Sequence, residues 1–526
     1  MRWLLILLAI LVATLAVGSM WEDSATADEA AHIAAGLIKA REGRLDIYAT
    51  QAPLVEALIA APLVVTGHRV PDAWHQYGNR PWVAGHLLLY RAGYDAQRIL
   101  RLARLPVIAL FLALCFAVYW FVRDVTGNDH AALAAFALTG FCPTLLAHGR
   151  LATVDMGVTF FAFVATALLL RLLRDPSRGM AVATGIALAC ALATKVSGAL
   201  LVPIFLIVIV MQRAERRGQS AEAPATPVGS TSAPCPLPSA LSVAALTSIV
   251  AFMAVYLLLA RSADLTLPFR AYLSEVGAVR EFYVANPLPQ FLLGEFSQKG
   301  WPHYYLVAIA VKTPLAALAL LVLGLVRTRR FEAMVCVVFV ALFLLVSAFS
   351  SLNLGIRHVL PIYPFLYAAC AISLSDASRK LRIAAGVLVA AHALTAVFAY
   401  PSYLSYFNPL IGSPRNADRI LIDSNLDWGQ DLRRLGRWAR ENDVDAIRMH
   451  YFGAGNVEYE LGQRAIRWPA PRPERLPKGW FAVSRHFYRL SFLPARSPVD
   501  YDTYLRASGA RYVTTIGGSI DVYRVP

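Results

Sequence analysis

Charged residues are scarce in this chain of 526 residues, and the motifs of soluble enzymes are missing. Only 16% of the residues are charged and 57% are hydrophobic, whereas soluble domains carry about 25% charged residues. This composition argues against a soluble enzyme. It excludes a mainly disordered protein and a nucleic-acid-binding domain, despite a formal net charge of +15. The sequence therefore predicts a polytopic membrane protein.

Metal and nucleotide motifs are absent as well. The six cysteines form no CxxC pair, and no HExxH, GxGxxG or P-loop pattern stands out. In the segment DSNLDWGQD, the acids Asp423, Asp427 and Asp431 partly resemble a calcium loop, but Gly429 comes one position late and Arg434 replaces the bidentate Glu. We expect no metal and no cofactor, and we expect Asp427 to cap the helix that follows.

Long apolar runs are what the sequence has in abundance. A helix needs roughly 20 apolar residues to cross a bilayer core about 30 Å thick. About eleven segments fit this requirement, and two short ones are expected to form a hairpin that turns at Lys195. The predicted spans are 3–20, 103–122, 131–147, 156–173, 180–194, 197–212, 240–260, 303–326, 333–350, 358–374 and 383–400.

Clusters of basic residues predict the orientation, because cytoplasmic loops are rich in Lys and Arg. If every predicted span crosses, Arg2 and four clusters lie on the same side, which we take as the cytoplasm of a bacterial cell. The N-terminus is then cytoplasmic and the C-terminal tail extracytoplasmic. Alternatively, residues 1–20 are a cleaved signal peptide. The four clusters are Arg171, Arg174 and Arg178; Arg213, Arg216 and Arg217; Arg327, Arg329 and Arg330; and Arg379, Lys380 and Arg382.

The hydropathy pattern divides the chain into three parts. Residues 1–400 are predicted to form the transmembrane domain, which includes an exported loop at 21–102. Within that loop we expect an amphipathic helix at 28–43, lying on the outer membrane surface, and a second helix over Leu54–Val65. Residues 213–239 are rich in Ala, Pro, Ser and Thr, which predicts a flexible cytoplasmic linker.

The tail, residues 401–526, has the alternating pattern of a small α/β domain. A helix is predicted over Trp428–Arg440, and Gly517-Gly518 predicts a terminal hairpin between two strands. The predicted strands are Arg419–Ile422, Ala446–Tyr451, Trp480–Val483 and Arg511–Thr515.

Three acids are candidates for catalysis. Asp28 and Glu29 follow the first span on the exported side, where one of them can act as a general base or simply stabilise the start of a helix. Asp155 stands at the outer end of another span. An acid there is either a helix cap or a functional group, since ionisable residues near the hydrocarbon core are costly.

Five basic side chains are candidates for binding a phosphate. Lys195 lies in the outer hairpin, where it either reaches for the interface or binds a lipid-linked phosphate. Lys312 lies in an apolar stretch before Pro314, and Arg357-His358 opens a span in GIRHVLPIYPF. Arg can bind phosphate with two parallel hydrogen bonds. Lys299 is the fifth candidate, and for each of the five an interfacial anchor is the alternative.

These motifs resemble a known arrangement. An exported Asp-Glu pair, a later Asp in RLATVDMGVTFF, the lysine-bearing hairpin TKVSGALLVP and the span start GIRHVLPIYPF together resemble the GT-C membrane glycosyltransferases. Within that class they resemble glycosyltransferase family 39, the protein mannosyltransferase and aminoarabinose transferase group, over roughly residues 20–400. One departure is the stretch Gln51-Ala52-Pro53-Leu54, where many relatives have paired prolines.

The resemblance implies a GT-C helical bundle that uses a polyprenyl-phosphate-linked sugar at the outer membrane face. It implies Asp28 as the base and Asp155 as a second active-site acid, with Lys195 and Arg357 as plausible phosphate partners. The acceptor, which is a lipid, a glycan or a protein, stays open. The sequence also leaves open a transporter or flippase of a lipid-linked sugar, or a structural subunit with a partner-binding tail.

Overall fold

The protein is mainly helical with a small C-terminal sheet, which confirms the predicted fold class. The computed structural model describes residues 1–222, 236–285, 289–350, 352–467, 475–493 and 500–526. The elements up to residue 400 are α1 (Arg2–Met20), α2 (Glu29–Glu42), α3 (Pro53–Val65), α4 (Pro81–Tyr90), α5 (Ala96–Thr126), α6 (Asp129–Gly140), α7 (Pro143–His148), α8 (Asp155–Arg174), α9 (Arg178–Leu192), α10 (Leu201–Glu222), α11 (Leu237–Ala260), α12 (Leu267–Ala285), β1 (Gln290–Leu292), β2 (Glu295–Ser297), α13 (Tyr304–Lys312), α14 (Leu315–Leu325), α15 (Phe331–Ala348), α16 (Ile362–Leu374) and α17 (Arg379–Ala399).

Seven helices among the described residues are long and apolar enough to cross a membrane. The predicted span 303–326 is broken: α13 and α14 meet at an angle of 117°. Pro314 explains the break, because proline disfavours helical backbone in the residue before it, and Thr313 is extended. Three shorter apolar helices, α3, α9 and α16, accompany the long ones. The protein is thus a multi-pass membrane protein, and the number of eleven crossings stays a prediction.

The helix α2 differs from its predicted setting. It begins at Glu29, as expected, but every residue from Glu29 to Lys39 is buried. The helix packs against α3 and α4, so it lies inside the protein and not as an amphipathic helix on the membrane surface. Asp28 stands at its N-terminus without forming a side-chain cap. The prediction of a surface helix capped by Asp28 is therefore wrong.

Part of the predicted linker at 213–239 is helical. The helix α10 continues to Glu222 and α11 begins at Leu237, so the regular structure extends farther into this segment than its composition predicts. Residues 223–235 lie outside the described residues.

The tail forms a small α/β domain with one five-stranded sheet. The strand order is β4-β3-β5-β7-β6, in which β3 runs parallel to β4 and β5 and the other neighbours are antiparallel. Its elements are α18 (Ala417–Ile420), α19 (Leu432–Glu441), β3 (Ile447–His450), α20 (Val457–Leu461), β4 (Ala465–Arg467), β5 (Gly479–Ser484), α21 (Arg485–Leu490), α22 (Tyr501–Ala507), β6 (Arg511–Ile516) and β7 (Ile520–Val525).

The terminal hairpin and three of the four predicted tail strands are confirmed. The strand predicted at Arg419–Ile422 is wrong, because residues 417–420 form the helical turn α18. The cap predicted for Asp427 is also wrong. Its carboxylate accepts the backbone amides of Gly429 (3.2 Å) and His486 (3.1 Å), which lie in a turn and at the start of α21.

The tail packs directly on the loop that follows α1. Two backbone hydrogen bonds join them, from Ser24 N to Gln430 O and from Ala27 N to Trp428 O, each of 2.9 Å. Buried Asp23 is paired with Arg150 of the membrane domain and with Arg434 of the tail. This docking brings residues 423–430 close to Asp28 and to the turn that carries Arg357.

Candidate active site

A cavity of about 1060 Å³ lies where the loop at 21–102, the membrane helices and the tail meet. Five charged residues line it: Asp28, Asp46, Lys195, Arg357 and Asp423. His358 lines it as well, and its Nε2 is buried without a hydrogen-bond partner in the described structure. The cavity is therefore the place where the predicted site residues converge.

Asp28, Asp155, Lys195 and Arg357 form one ion-pair network. Arg357 Nη1 donates to Asp28 Oδ2 at 2.9 Å and lies 3.7 Å from Asp155 Oδ2. Lys195 Nζ donates to Asp155 Oδ1 at 2.6 Å. Asp155 itself is 1% exposed, so it lies behind the two cations and holds them toward the cavity. The two acids predicted from separate segments are thus joined through one guanidinium.

The local backbone structure explains how each of these four charged side chains is positioned. Asp28 and Asp155 stand at the N-terminal ends of α2 and α8, where backbone N–H groups favour negative charge. Lys195 lies between α9 and the helical turn that precedes α10, as the hairpin prediction requires. Arg357 lies in another short helical turn, Ile356–Val359, before α16.

The tail fixes this turn in place. Arg357 Nε donates to Ser424 Oγ at 3.2 Å, and its guanidinium lies 4.3 Å from the centre of the Trp428 ring. The amide of Ile356 donates to Asn425 Oδ1 at 2.9 Å. The segment DSNLDW, which the sequence offered only as a weak calcium loop or a helix cap, therefore builds the wall around Arg357.

Three predicted site residues lie elsewhere, which corrects the sequence-based site. Glu29 is fully buried against Arg104, with both of its oxygens 2.7 Å from guanidinium nitrogens. Burial raises the pKa of Glu29, but the charge and hydrogen bonds of Arg104 outweigh burial and hold the pKa below its usual value. A carboxylate fixed in this way is a structural ion pair and is not exposed to a substrate.

Lys312 and Lys299 are the other two corrections. Lys312 is buried, and its Nζ donates to the carbonyl oxygens of Leu404 (2.8 Å) and Asn425 (2.6 Å), 4.4 Å from the centre of the Phe407 ring. This lysine therefore ties α13 to the tail. Lys299 is exposed and does not line the cavity.

Several cavity residues were missed by the sequence analysis. One wall is aromatic, and its residues come one by one from separate loops and short helices, so no periodic signal identifies them. Its members are Tyr48, Trp82, Trp428, Phe452 and Phe487. Tyr48 and Trp82 are in edge contact, with ring centres 5.1 Å apart. Aromatic faces of this kind suit an amphipathic, ring-shaped ligand.

Another wall is apolar. It contains side chains of α12 and α15 and of the hairpin that carries Lys195. These residues are Val276, Val279, Phe343, Val346 and Leu200. The cavity therefore joins an apolar side, a cluster of paired charges and an aromatic side, which is the arrangement that a ligand with a lipid tail, a charged group and a polar ring requires.

Comparisons with known proteins agree with this arrangement. Residues 97–221 match the model of the family described as dolichyl-phosphate-mannose-protein mannosyltransferase. No curated protein sequence matches the chain. Among solved structures, ArnT from Cupriavidus metallidurans in the apo state is similar, with a TM-score of 0.51 and 13% identity over 99% of this chain and 97% of that chain.

The same enzyme bound to undecaprenyl phosphate is similar as well, with a TM-score of 0.52 and 12% identity over 99% of this chain and 98% of that chain. At this identity the likeness establishes the fold, which extends over the membrane helices and the tail alike. Together with the match to the mannosyltransferase family model, it confirms the resemblance predicted from the sequence: the chain has a GT-C-type fold similar to that of glycosyltransferase family 39.

Proposed function

We propose that the protein transfers a hexose or pentose from a polyprenyl-phosphate donor to an acceptor at the outer face of the membrane. The observation that carries this proposal is the cavity in which Asp28, Lys195 and Arg357 meet beside an apolar wall. The match to a family of dolichyl-phosphate-dependent enzymes supports the same donor class.

The proposed reaction is a displacement at the anomeric carbon of the sugar. The acceptor oxygen or nitrogen forms a bond to that carbon, while the bond from the carbon to the phosphate oxygen breaks and its electron pair leaves with the lipid phosphate. Lys195 and Arg357 are placed to stabilise the charge that develops on the phosphate. A cavity carboxylate receives the acceptor's proton, and the sequence proposes Asp28 for this role.

We propose further that the chain lies in a bacterial cytoplasmic membrane, with a cytoplasmic N-terminus and an extracytoplasmic domain at 401–526. The basic clusters support this orientation. The acceptor, whether a lipid, a glycan or a protein, then reaches the cavity from the aqueous side, past the aromatic wall. The apolar wall faces the membrane lipids and accommodates the polyprenyl chain.

The test compares the envelope glycans of a deletion strain with those of its parent by mass spectrometry. We expect one sugar substituent to be lost in the deletion strain and to return when the wild-type chain is expressed. We expect Asp28→Asn to restore less than about 1% of it, because Arg357 loses the partner that positions it, and losing one positioned group that stabilises developing charge costs about 10²–10³-fold.

A transporter predicts a different result. If the chain only moves a lipid-linked sugar, lipid-linked donor accumulates on the inner side in the deletion strain, and purified protein makes no glycosidic bond. The transporter reading is not favoured by the family match. Near-normal glycans with a well-folded Asp28→Asn variant would remove Asp28 from the site.

A further inference from the structure

The tail contributes a carboxylate of its own to the cavity. Asp423 is the first residue of DSNLDW and lines the cavity together with Asp28. The residues that follow it hold the turn of Arg357, since Ser424 Oγ also donates to Leu354 O at 3.1 Å and Asn425 Oδ1 accepts the amide of Ile356. The hydrogen bonds that hold the turn of Arg357 therefore also fix the backbone next to Asp423.

The backbone at Asp423 is unusual. Its φ is +58°, in the left-handed region that residues with a side chain rarely adopt. The side chain supports this conformation, because Asp423 Oδ1 accepts the amide of Ser424 at 2.6 Å. Backbone strain of this kind persists where surrounding contacts enforce it, and it is concentrated at functional sites. Here it occurs at a residue that lines the cavity.

The other acids of the cavity region, Asp46 included, are already engaged with cations. One oxygen of Asp28 accepts Arg357, and Asp155 is buried behind Lys195 and Arg357. Asp423 forms no ion pair within 4 Å among the described residues. Burial raises the pKa of Asp423 to about 6, with Arg357 acting in the opposite direction. Such a carboxylate is ionised at neutral pH and is a better proton acceptor than an exposed aspartate.

We infer that Asp423 receives the proton of the acceptor group, and that Asp28 positions Arg357. This inference rests on the proposed function and assigns one of its steps to the tail. As the acceptor oxygen bonds to the anomeric carbon, its proton passes to Asp423, and the electron pair of the broken bond leaves with the polyprenyl phosphate held by Arg357 and Lys195. The tail is then part of the catalytic site and not only its cover.

The test uses right-side-out membrane vesicles of the deletion strain, each expressing one full-length variant. The vesicles contain the cell's own donor and acceptor, and the buffer sets the pH at the outer face. The initial rate of appearance of the restored glycan is measured from pH 5 to pH 9. Binding of undecaprenyl phosphate to each purified variant is measured in parallel.

We expect Asp423→Asn to lower the rate at least 100-fold while undecaprenyl phosphate binding stays within about twofold, since proton acceptors contribute 10²–10⁴-fold to rate. Asp423→Glu should retain part of the rate. Asp443→Asn is the matched control: Asp443 also has a left-handed backbone, with a φ of +50°, but it is exposed and remote from the cavity. Its rate should equal that of the wild type.

The pH dependence separates the two acids. In the wild type the rate should fall tenfold per pH unit below about pH 6, and Asp28→Asn should keep this inflection at a lower overall rate. The inference is overturned if Asp28→Asn abolishes the inflection, if Asp423→Asn keeps more than a tenth of the rate, or if it loses lipid binding in proportion to rate. A wild-type chain that restores no glycan overturns the proposed function itself, and the inference falls with it.

Discussion

Glu29 shows how the segment after α1 tolerates buried charge. Both of its oxygens accept Arg104, and the amides of Thr26 and Ala152 donate to it as well. All of its hydrogen-bonding capacity is therefore used inside the protein. Asp28, one residue earlier, is partly exposed to the cavity. Adjacent residues in the sequence thus have separate tasks, one in stability and one at the site.

At this scale we predict that Glu29→Gln destabilises the protein by about 3–5 kcal/mol, because it leaves Arg104 buried without its counter-charge. The measurement is thermal unfolding of the purified protein in detergent. Glu22→Gln is the matched control, since Glu22 pairs with half-exposed Arg437 at 2.5 Å, and such pairs contribute less than about 1 kcal/mol. Equal losses in the two variants would show that the Glu29–Arg104 pair carries no special stability.

The site residues divide by how they could be found from the sequence. Asp28, Asp155, Lys195 and Arg357 are charged residues at the ends of apolar runs, where a polar group is costly enough to stand out. Lys312 is also a charged residue in an apolar run, but its role is structural, because its ammonium group donates to two carbonyl oxygens of the tail. The charge of a residue and its place in the sequence do not reveal whether it is buried or which group it contacts. The sequence analysis therefore proposed cavity residues and structural residues such as Lys312 alike as site residues.

Among the elements, α2 depends on close backbone contacts on two sides. A Cβ on Gly36 would come within 2.0 Å of the carbonyl oxygen of Glu56 in α3, and one on Gly85 of α4 within 2.2 Å of that of Ala30 in α2. These two glycines let three helices approach closely at the start of the site. Asp28 stands two residues before Ala30, so its position depends on this packing.

We predict that Gly85→Ala destabilises the protein by about 1–3 kcal/mol, the usual cost of overpacking, and lowers glycan transfer because α2 and Asp28 must shift. Thermal unfolding and the glycan assay measure the two effects. Gly386→Ala in α17 is the control, because no atom lies within 4 Å of an added Cβ there. A stable and fully active Gly85→Ala variant would contradict the importance of this contact.

Element prediction from the sequence worked where long apolar runs or turn residues dominate. The apolar runs located most helices of the membrane domain, and Gly517-Gly518 located the terminal hairpin. The prediction of elements failed where contacts between distant segments determine the local structure. The helical stripe of α2 predicted a membrane surface, whereas other helices cover it on several sides. At 419–422, β-type residues were outweighed by the helical turn α18, which directly follows a short turn at Pro414–Asn416 that Ser413 caps.

At the scale of the whole molecule, membrane domain and tail are joined through buried charge. Arg434 of α19 lies 2.7 Å from Asp23 Oδ1 and also pairs with Asp431. We predict that Arg434→Ala loosens the tail by about 3–5 kcal/mol, the cost of breaking a buried pair. Hydrogen exchange should then accelerate at the amides of Ser24 and Ala27, which donate to the tail.

Exposed Arg511 on β6 provides the control for this experiment. Arg511→Ala removes the same type of side chain from the same domain without touching the junction, so exchange at Ser24 and Ala27 should stay unchanged. Unchanged exchange in Arg434→Ala would mean that the backbone hydrogen bonds alone hold the tail. The sequence predicted this domain but not its docking, because pairs such as Asp23 and Arg434 are 411 residues apart.

The position of DSNLDW has a consequence for biosynthesis. Asp423 is translated about 400 residues after Asp28, and the two line one cavity. While the first spans enter the bilayer, the wall around Arg357 is still missing. A nascent chain therefore lacks part of the cavity wall until the tail has folded onto it, so we expect the site to be complete only in the finished molecule.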